Sequence, residues 1–455
     1  MKLYNTLSRK VEDFTPRESK KVNLFVCGPT VYDFSHLGHA KTYTQMDVLA
    51  RVLRQQDYDV FYLQNITDLD DKIIARANEK NVGWEELRAT YEAEYYTDME
   101  RLNNTAVTEY ARATDHIADI ISQIQVLLDK KHAYQISDGI YFEISTFTDY
   151  GQLSGRSEVQ ANDAQTRIDQ SDEKRGWNDF CLWKFSKPGE PEWEAPFGKG
   201  RPGWHIEDTA ITEHFFGPQY DIHGGAVDLI FPHHEAEVTQ MESASGKNPM
   251  VQTWVHTGFL NIDNTKMSKS LDNFYTIREV TEKGVDPMAI RLFMLQSHYR
   301  SPINFTWDNL GAASNRLQTY RAMAGQKWQT HPDGIVDENQ LQVAKKDMLT
   351  ALSDDLNTPA ALTILSQLET AIDKGGINTA CQDAYIDFLS WLDDTLGLKL
   401  SENANITDNQ EQIIAARQQA RDARDWAQSD ELRNQLIKQG ISLKDSRHGQ
   451  IWNRL

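Results

Sequence analysis

Cysteine is scarce in this 455-residue chain. Cys27, Cys181 and Cys381 are the whole complement, an odd and sparse set that rules out a disulfide framework. Long apolar runs are missing too. None approaches the ~20 residues that a membrane-spanning helix needs, and the opening MKLYNTLSRK lacks the apolar core of a signal peptide. The expectation is a cytoplasmic protein. Basic residues are outnumbered, 47 Lys+Arg against 67 Asp+Glu, for a formal net charge of −20. That balance argues against a protein that coats nucleic acid non-specifically, but not against a specific nucleic acid held on a local surface. No internal repeat and no low-complexity segment is visible. What remains is an ordinary globular composition, 40% hydrophobic and 25% charged, long enough for about three domains.

From Val22 the string VNLFV is a short apolar run suited to a buried parallel strand, and CGPT ends it. A helical pattern, YTQMDVLARVLRQQ, follows HLGHA, and a second strand-like run, VFYLQNI, begins at Val60. Strand, helix, strand in close succession is a βαβ signature and predicts a parallel α/β sheet. Residues 111–200 read as an insertion: an amphipathic helix (HIADIISQIQVLLDKK), a strand pair around GIYFEI and a polar, acidic stretch from Ser154 to Lys174. The α/β pattern is expected to resume with DFCLWKF, WHIEDTAI, YDIHGG and TWVHTGFLNI. From about Asp286 the pattern is almost wholly helical, and SENANITDNQ (Ser401 to Gln410) reads as a linker. The last 45 residues hold 8 Lys+Arg against 6 Asp+Glu, net +2, whereas the preceding 410 are net −22.

Three constellations carry chemistry. His36-Leu37-Gly38-His39 lies just after the first predicted strand and opens the first predicted helix. Two imidazoles around a glycine at a helix N-terminus can bring N–H donors to phosphate oxygens, where the helix dipole also favours an anion. Two surface histidines at a turn glycine are the bland alternative. Lys266-Met267-Ser268-Lys269-Ser270 puts two lysines and two hydroxyls in a loop after an apolar strand. Such a loop suits the charge that develops as pyrophosphate leaves, although alone it is most simply solvated. Finally, six of the 13 histidines fall between His205 and His256. Within that window FPHHEAE places His233 and Glu237 at i and i+4, on one face if helical, where they could share a zinc ion. His234 is expected to point elsewhere. An exposed polar helix start after Pro232 is the alternative.

HLGH and KMSKS, in this order and context, resemble the nucleotide-binding signature of class I aminoacyl-tRNA synthetases. The strings FVCGPTVYD, NITDLDDKI, GRPGWHIE, YDIHGGAVDLIFPHHEAE and KMSKSLDNF make the chain similar, over its whole length, to the cysteinyl-tRNA synthetases. The resemblance implies an α/β fold with a Rossmann-like parallel sheet, an inserted α+β subdomain, an all-α helical bundle and a small C-terminal domain. The corresponding division is a first catalytic half (1–110), the insertion (111–200), a second catalytic half with the KMSKS loop (201–305), a tRNA-binding bundle (306–400) and an anticodon-binding domain (408–455). The implied reaction is ATP-dependent ligation of L-cysteine to tRNA(Cys) through a cysteinyl-adenylate, with Mg2+ accompanying ATP, carried out by a monomer.

The resemblance also implies roles for residues. His36, Gly38, His39, Lys266, Ser268 and Lys269 would bind ATP, with His36, His39, Lys266 and Lys269 catalytic. Thr67, Trp204 and His223 would line the cysteine pocket with Cys27. A Zn2+ ion would be held by Cys27, residue 208, His233 and Glu237, with the substrate bound to it as a thiolate. Arg421, Asp430 and Asp445 would read the anticodon, while Trp426 is expected in the core of the tail.

Residue 208 departs from the family. It is Asp208, in WHIEDTA, where the pattern has WHIECSA. Aspartate is a competent zinc ligand and keeps one negative charge on the site. A harder ligand makes the ion more Lewis acidic, but also makes the site less selective. Cys181, in DFCLWK, could supply a sulfur, a small buried core cysteine being the plainer reading. Asp272 stands in KMSKSLDNF where the family usually has glycine, and its carboxylate beside a triphosphate bears on rate. Three readings are open: a cysteine–tRNA ligase, a paralogue with another amino acid or a small-amine acceptor, and a non-catalytic tRNA-binding protein. Intact HLGH and KMSKS weigh against the last.

Overall fold

The run VNLFV becomes the middle strand, Lys21–Val26, of a five-stranded sheet in the computed structural model, which describes residues 1–156, 171–267, 273–446 and 449–454. Val22, Leu24, Phe25 and Val26 are all fully buried, as a strand covered on both faces requires. Asp59–Ile66 and Glu109–Arg112 lie in turn on one side of it, Tyr220–Ala226 and Val251–Thr257 on the other. Every neighbouring pair is parallel. Strand order therefore reverses between Lys21–Val26 and Tyr220–Ala226, and a parallel sheet opens a crevice at the carboxyl ends of its strands where that happens. Helix Leu37–Gln55 packs on the sheet. A Cβ on Gly224 would meet the Met46 sulfur at 2.8 Å, so this glycine lets helix and strand approach closely.

The insertion forms its own layer. Helix Ile117–Asp129 buries Ile117, Ile120, Ile124 and Leu127, spaced three or four apart, in one cluster with Ile140, Phe142 and Leu182. The sheet beneath is antiparallel, in the order Ala133–Ile136, Gly139–Phe142, Phe180–Phe185, Gly200–Pro202. DFCLWKF thus does not resume the parallel sheet, contrary to expectation; it pairs antiparallel with Gly139–Phe142. An apolar run looks the same in either setting, and its partner is chosen by non-local packing that the run itself does not record. Cys181, on that strand, packs with Tyr134 and Tyr141.

The chain divides into two compact units. The first, Met1–Lys283 with Tyr299–Asn304, holds both of these sheets. The second, Gly284–His298 with Phe305–Leu455, is helical until its last hairpin. Its helices include Trp307–Gly325, Glu338–Ser353, Thr358–Gly375 and Gln382–Leu396. Their starts are written locally: Asp337 and Thr407 form capping boxes, and Asn357 caps a helix with proline in its first turn. Helices Asp408–Asp422 and Trp426–Lys438 then pack with the antiparallel hairpin Ile441–Ser446 and Gly449–Arg454 around Ile413, Leu436, Ile441 and Trp452. Trp426 is not in that core; it is 59% exposed at the first position of its helix, because Trp452 fills the centre. No helix among the described residues is long and apolar enough to cross a membrane.

Candidate active site

The crevice at the sheet reversal is a cleft of about 370 Å³, and residues of both nucleotide-type motifs line it. His36 is the N-cap of helix Leu37–Gln55, and its Nδ1 accepts the His39 N–H at 3.2 Å. The His36 N–H in turn donates to His39 Nδ1 at 3.4 Å, and the two rings stack at 3.7 Å. Each Nδ1 accepts, so each neutral ring carries its proton on Nε2. Burial and the neighbouring His36 hold the His39 pKa well below the usual imidazole value, which keeps it neutral. Gly38 leaves room for this fold-back: a Cβ there would lie 2.9 Å from the His36 ring. Across the cleft stand Phe259, Lys266 and Met267, with the exposed Lys266 ammonium 5.4 Å from the Phe259 ring centre. Ser268, Lys269 and Asp272 lie outside the described residues.

The floor is a buried donor set. Cys27, at the end of strand Lys21–Val26, also lines the cleft, and its Sγ is 3.5 Å from His233 Nε2. That nitrogen lies 3.1 Å from Asp208 Oδ2 and 3.2 Å from Glu237 Oε1. Asp208 comes from helix Trp204–Phe216, His233 from the irregular turn Ile230–His234, and Glu237 from the first turn of helix Glu235–Ser245. His233 Nδ1 is paired with His205 Nδ1 at 2.7 Å, and Trp204 stacks on the His233 ring at 4.1 Å. The ring is fixed with Nε2 toward the acids.

Such a floor suits a cation. Asp208, His233 and Glu237 are 0% exposed, and neither carboxylate oxygen of Glu237 has a hydrogen-bond partner among the described residues. Desolvation, then the Asp208 charge, pushes the Glu237 carboxyl well above its usual range, and the Cys27 thiol is raised by the same two causes in the same order. Two buried acids and a thiol around one imidazole nitrogen repel one another unless protonated or shared by a divalent ion. Sulfur, nitrogen and oxygen donors in this number fit zinc.

His234 belongs to the same cluster, contrary to expectation. It is fully buried, and one of its nitrogens lies within 4.8 Å of ligand atoms of Cys27 and His233. Two features bring it in. His234 stands at i, i+3 to Glu237, a spacing that shares a helix face as i, i+4 does, and its Nε2 lies 3.9 Å from Glu237 Oε1. Gly225 also vacates space, since a Cβ there would lie 2.7 Å from His234 Cε1. His234 Nδ1 pairs with His256 Nε2 at 2.9 Å, and His256 Nδ1 with Thr6 Oγ1 at 2.7 Å.

Other expected residues are placed as follows. Trp204 lines the cleft. Thr67 is buried and donates its hydroxyl to Glu207 Oε2 at 2.9 Å. His223 lies behind the floor, stacked on Trp254 at 4.3 Å and paired through Nδ1 with the Tyr220 hydroxyl at 2.7 Å. In the second unit, Arg421 reaches Asp445 at 3.0 Å, whereas Asp430 stands exposed on helix Trp426–Lys438. The sequence reading missed Asn65, which bridges Gly28 and Asp208, and His205, which orients His233. The dense histidine window was a signal for His205; nothing local marked Asn65.

A Rossmann-like sheet, with an HLGH helix start and the Lys266 and Met267 that open the KMSKS motif at one crevice, defines a class I aminoacyl-tRNA synthetase. The family model described as "tRNA synthetases class I (C) catalytic domain" matches residues 13–315, and that of the "Cysteinyl-tRNA ligase anticodon binding domain" matches 403–452. The fold is similar to that of Mycobacterium tuberculosis methionyl-tRNA synthetase in complex with methionyl-adenylate, with a TM-score of 0.61 and 15% identity, covering 84% of this chain and 93% of that one. It is also similar to Agrobacterium radiobacter LeuRS in a ternary complex with tRNA, with a TM-score of 0.62 and 11% identity over 86% of this chain and 85% of that one. Sequence likeness is far stronger to cysteine–tRNA ligases. The Thermoplasma acidophilum enzyme is 41% identical over 454 residues, covering 99% of this chain and 100% of its own. That of Legionella pneumophila (strain Corby) is 42% identical over 463 residues, covering 100% and 99%. The chain belongs to the cysteine–tRNA ligase family.

Proposed function

We propose that the chain joins L-cysteine to tRNA(Cys) as a cytoplasmic monomer, in two steps. A carboxylate oxygen of cysteine attacks the α-phosphorus of Mg2+-ATP, forming cysteinyl-adenylate and expelling pyrophosphate. A ribose hydroxyl of the terminal adenosine of the tRNA then attacks the acyl carbon and expels AMP. The observation that carries this reading is that Cys27 lines, at the floor, the same cleft whose walls carry His36, His39 and Lys266.

His36 and His39, with their protons on Nε2, donate to phosphate oxygens from the positive end of a helix. Their neutrality leaves the growing charge to Lys266, joined by Lys269 in the same motif, and Ser268 adds a hydroxyl donor. Electrostatic stabilisation and alignment suffice for such a transfer, and no general base is needed. Trp204, Thr67 and His223 shape the pocket for the amino acid. Zn2+, held by Cys27, Asp208, His233 and Glu237, supplies a soft Lewis acid that separates a thiol from a hydroxyl far better than an apolar pocket could. In the tail, Arg421 and the acids Asp430 and Asp445 read unpaired anticodon bases.

Asp208 favours one second reading, in which the harder donor set shifts the amino acid preference. Charging a tRNA(Cys) transcript with each standard amino acid separates the two. Charging with cysteine supports the ligase; charging with another amino acid, or with none, overturns it.

A further inference from the structure

A second group of metal-type donors lies apart from the cleft, where the insertion meets the helix that carries Trp204 and Asp208. His116 ends the short turn Ala113–His116, Asp119 sits in the first turn of helix Ile117–Asp129, and His214 sits in the last turn of helix Trp204–Phe216. One carboxylate oxygen serves both rings: Asp119 Oδ2 is 3.0 Å from His116 Nδ1 and 3.2 Å from His214 Nδ1. All three donor atoms lie within 4.8 Å of one another. A tetrahedral ion with bonds of about 2.0–2.1 Å has its ligand atoms about 3.3 Å apart, so the two carboxylate–imidazole spacings are close to those of a bound site. The three side chains are 11%, 40% and 49% exposed, leaving the outer side open to water.

The scaffold behind them is fixed. Gln123, on the same helix as Asp119, accepts from the Thr209 hydroxyl and donates to Glu213 Oε2, both at 2.7 Å. It thereby locks the two helices that supply the donors. Phe215 packs beside the His116 ring at 5.7 Å, and Asp115 faces Arg112 at 3.5 Å. Two imidazoles and one carboxylate on a rigid frame favour a borderline divalent transition ion over Mg2+, which prefers all-oxygen surroundings.

We propose that His116, Asp119 and His214 form a surface site for a divalent transition-metal ion of the Zn2+, Co2+ or Ni2+ class, tying the insertion to the helix that supplies Trp204 and Asp208. With the ion bound, each ring gives up its hydrogen bond to Asp119, its proton passes through solvent from Nδ1 to Nε2, and the lone pair so freed on Nδ1 turns to the metal, while water completes the shell. The site contains no sulfur, which separates it spectroscopically from the floor of the cleft.

The test is cobalt titration of the metal-free full chain, comparing wild type with Asp119→Asn and with His214→Asn. Both variants leave the cleft untouched, and their unfolding without metal reports whether the fold is kept. The expected result is that wild type takes up one equivalent more than either variant. That extra equivalent has nitrogen–oxygen d–d absorption and no sulfur-to-metal charge-transfer band. It also raises the melting temperature of wild type but of neither variant. Equal uptake in all three proteins, or an extra equivalent that persists in both variants, would overturn the proposal.

Discussion

Asn65 donates its side-chain amide to Asp208 Oδ1 at 2.6 Å, while its own side-chain oxygen accepts the Gly28 N–H at 2.6 Å. One residue on strand Asp59–Ile66 therefore ties the Cys27 side of the floor to the Asp208 side. It leaves Asp208 Oδ2 facing His233 and selects which oxygen is offered to an ion. Partners of this kind tune a metal site by about 10–100-fold when removed. Asn65→Ala is expected to weaken zinc retention by about that factor in chelator competition, with KM for cysteine rising alongside. Unchanged retention would mean that Asp208 is oriented by other groups.

Lys41 gives a pH signature of its own. The residue is 1% exposed, and its ammonium donates to the carbonyls of Ser301 at 2.5 Å and Phe259 at 3.3 Å. Burial draws its pKa from 10.5 down to about 8. Below pH 8 both folded and unfolded chains are protonated here, and the folded chain carries the full cost of the buried charge. Between 8 and 10.5 the unfolded chain binds more protons, so this residue's contribution to stability rises with pH. Denaturant unfolding of wild type and Lys41→Met across that window should show the difference moving toward wild type, by at most about 3 kcal/mol. A flat difference contradicts the assignment.

Two glycines separate close approach from mere permissiveness. A Cβ on Gly28 would lie 1.7 Å from the Asn65 carbonyl oxygen, a backbone atom that cannot swing away. Gly28→Ala is expected to cost more than about 4 kcal/mol and to leave little folded protein. Gly311, exposed within helix Trp307–Gly325, would meet nothing within 4 Å. Gly311→Ala should stabilise by about 0.5–1 kcal/mol. Calorimetry of the two variants checks both signs.

The tail should affect tRNA and nothing earlier. Asp445 holds Arg421 at 3.0 Å and the buried Arg417 at 3.3 Å, an arrangement that presents Arg421 in a defined pose. Arg421→Ala is expected to raise KM for tRNA by about tenfold, the size of one lost base contact, and to leave amino-acid-dependent pyrophosphate exchange unchanged. A parallel fall in both activities would place Arg421 in the fold rather than in recognition.

Much of this was legible because it is local. The runs from Val22 and Val60 carry their own apolarity and become neighbouring parallel strands, and HLGH carries its own helix start. The resemblance supplied Cys27, Asp208, His233 and Glu237 as a group, and the fold brings them to one floor. Asn65 was hidden because a polar residue at the end of an apolar strand announces nothing about a partner 143 positions away. His234 was misread because only the i, i+4 pair His233–Glu237 was counted on the helix face, whereas i, i+3 shares that face too and brings His234 Nε2 to 3.9 Å from Glu237 Oε1. Trp426 was misread because size and apolarity fit a core, yet Trp452 occupies it.

The most direct measurement is ATP–pyrophosphate exchange by the zinc-loaded chain, with cysteine and serine in parallel. A floor in which Asp208 serves as a zinc ligand predicts robust exchange with cysteine and negligible exchange with serine. It also predicts loss of the cysteine signal when zinc is removed and recovery when it is restored. Exchange with serine comparable to that with cysteine, or exchange indifferent to zinc, would contradict it.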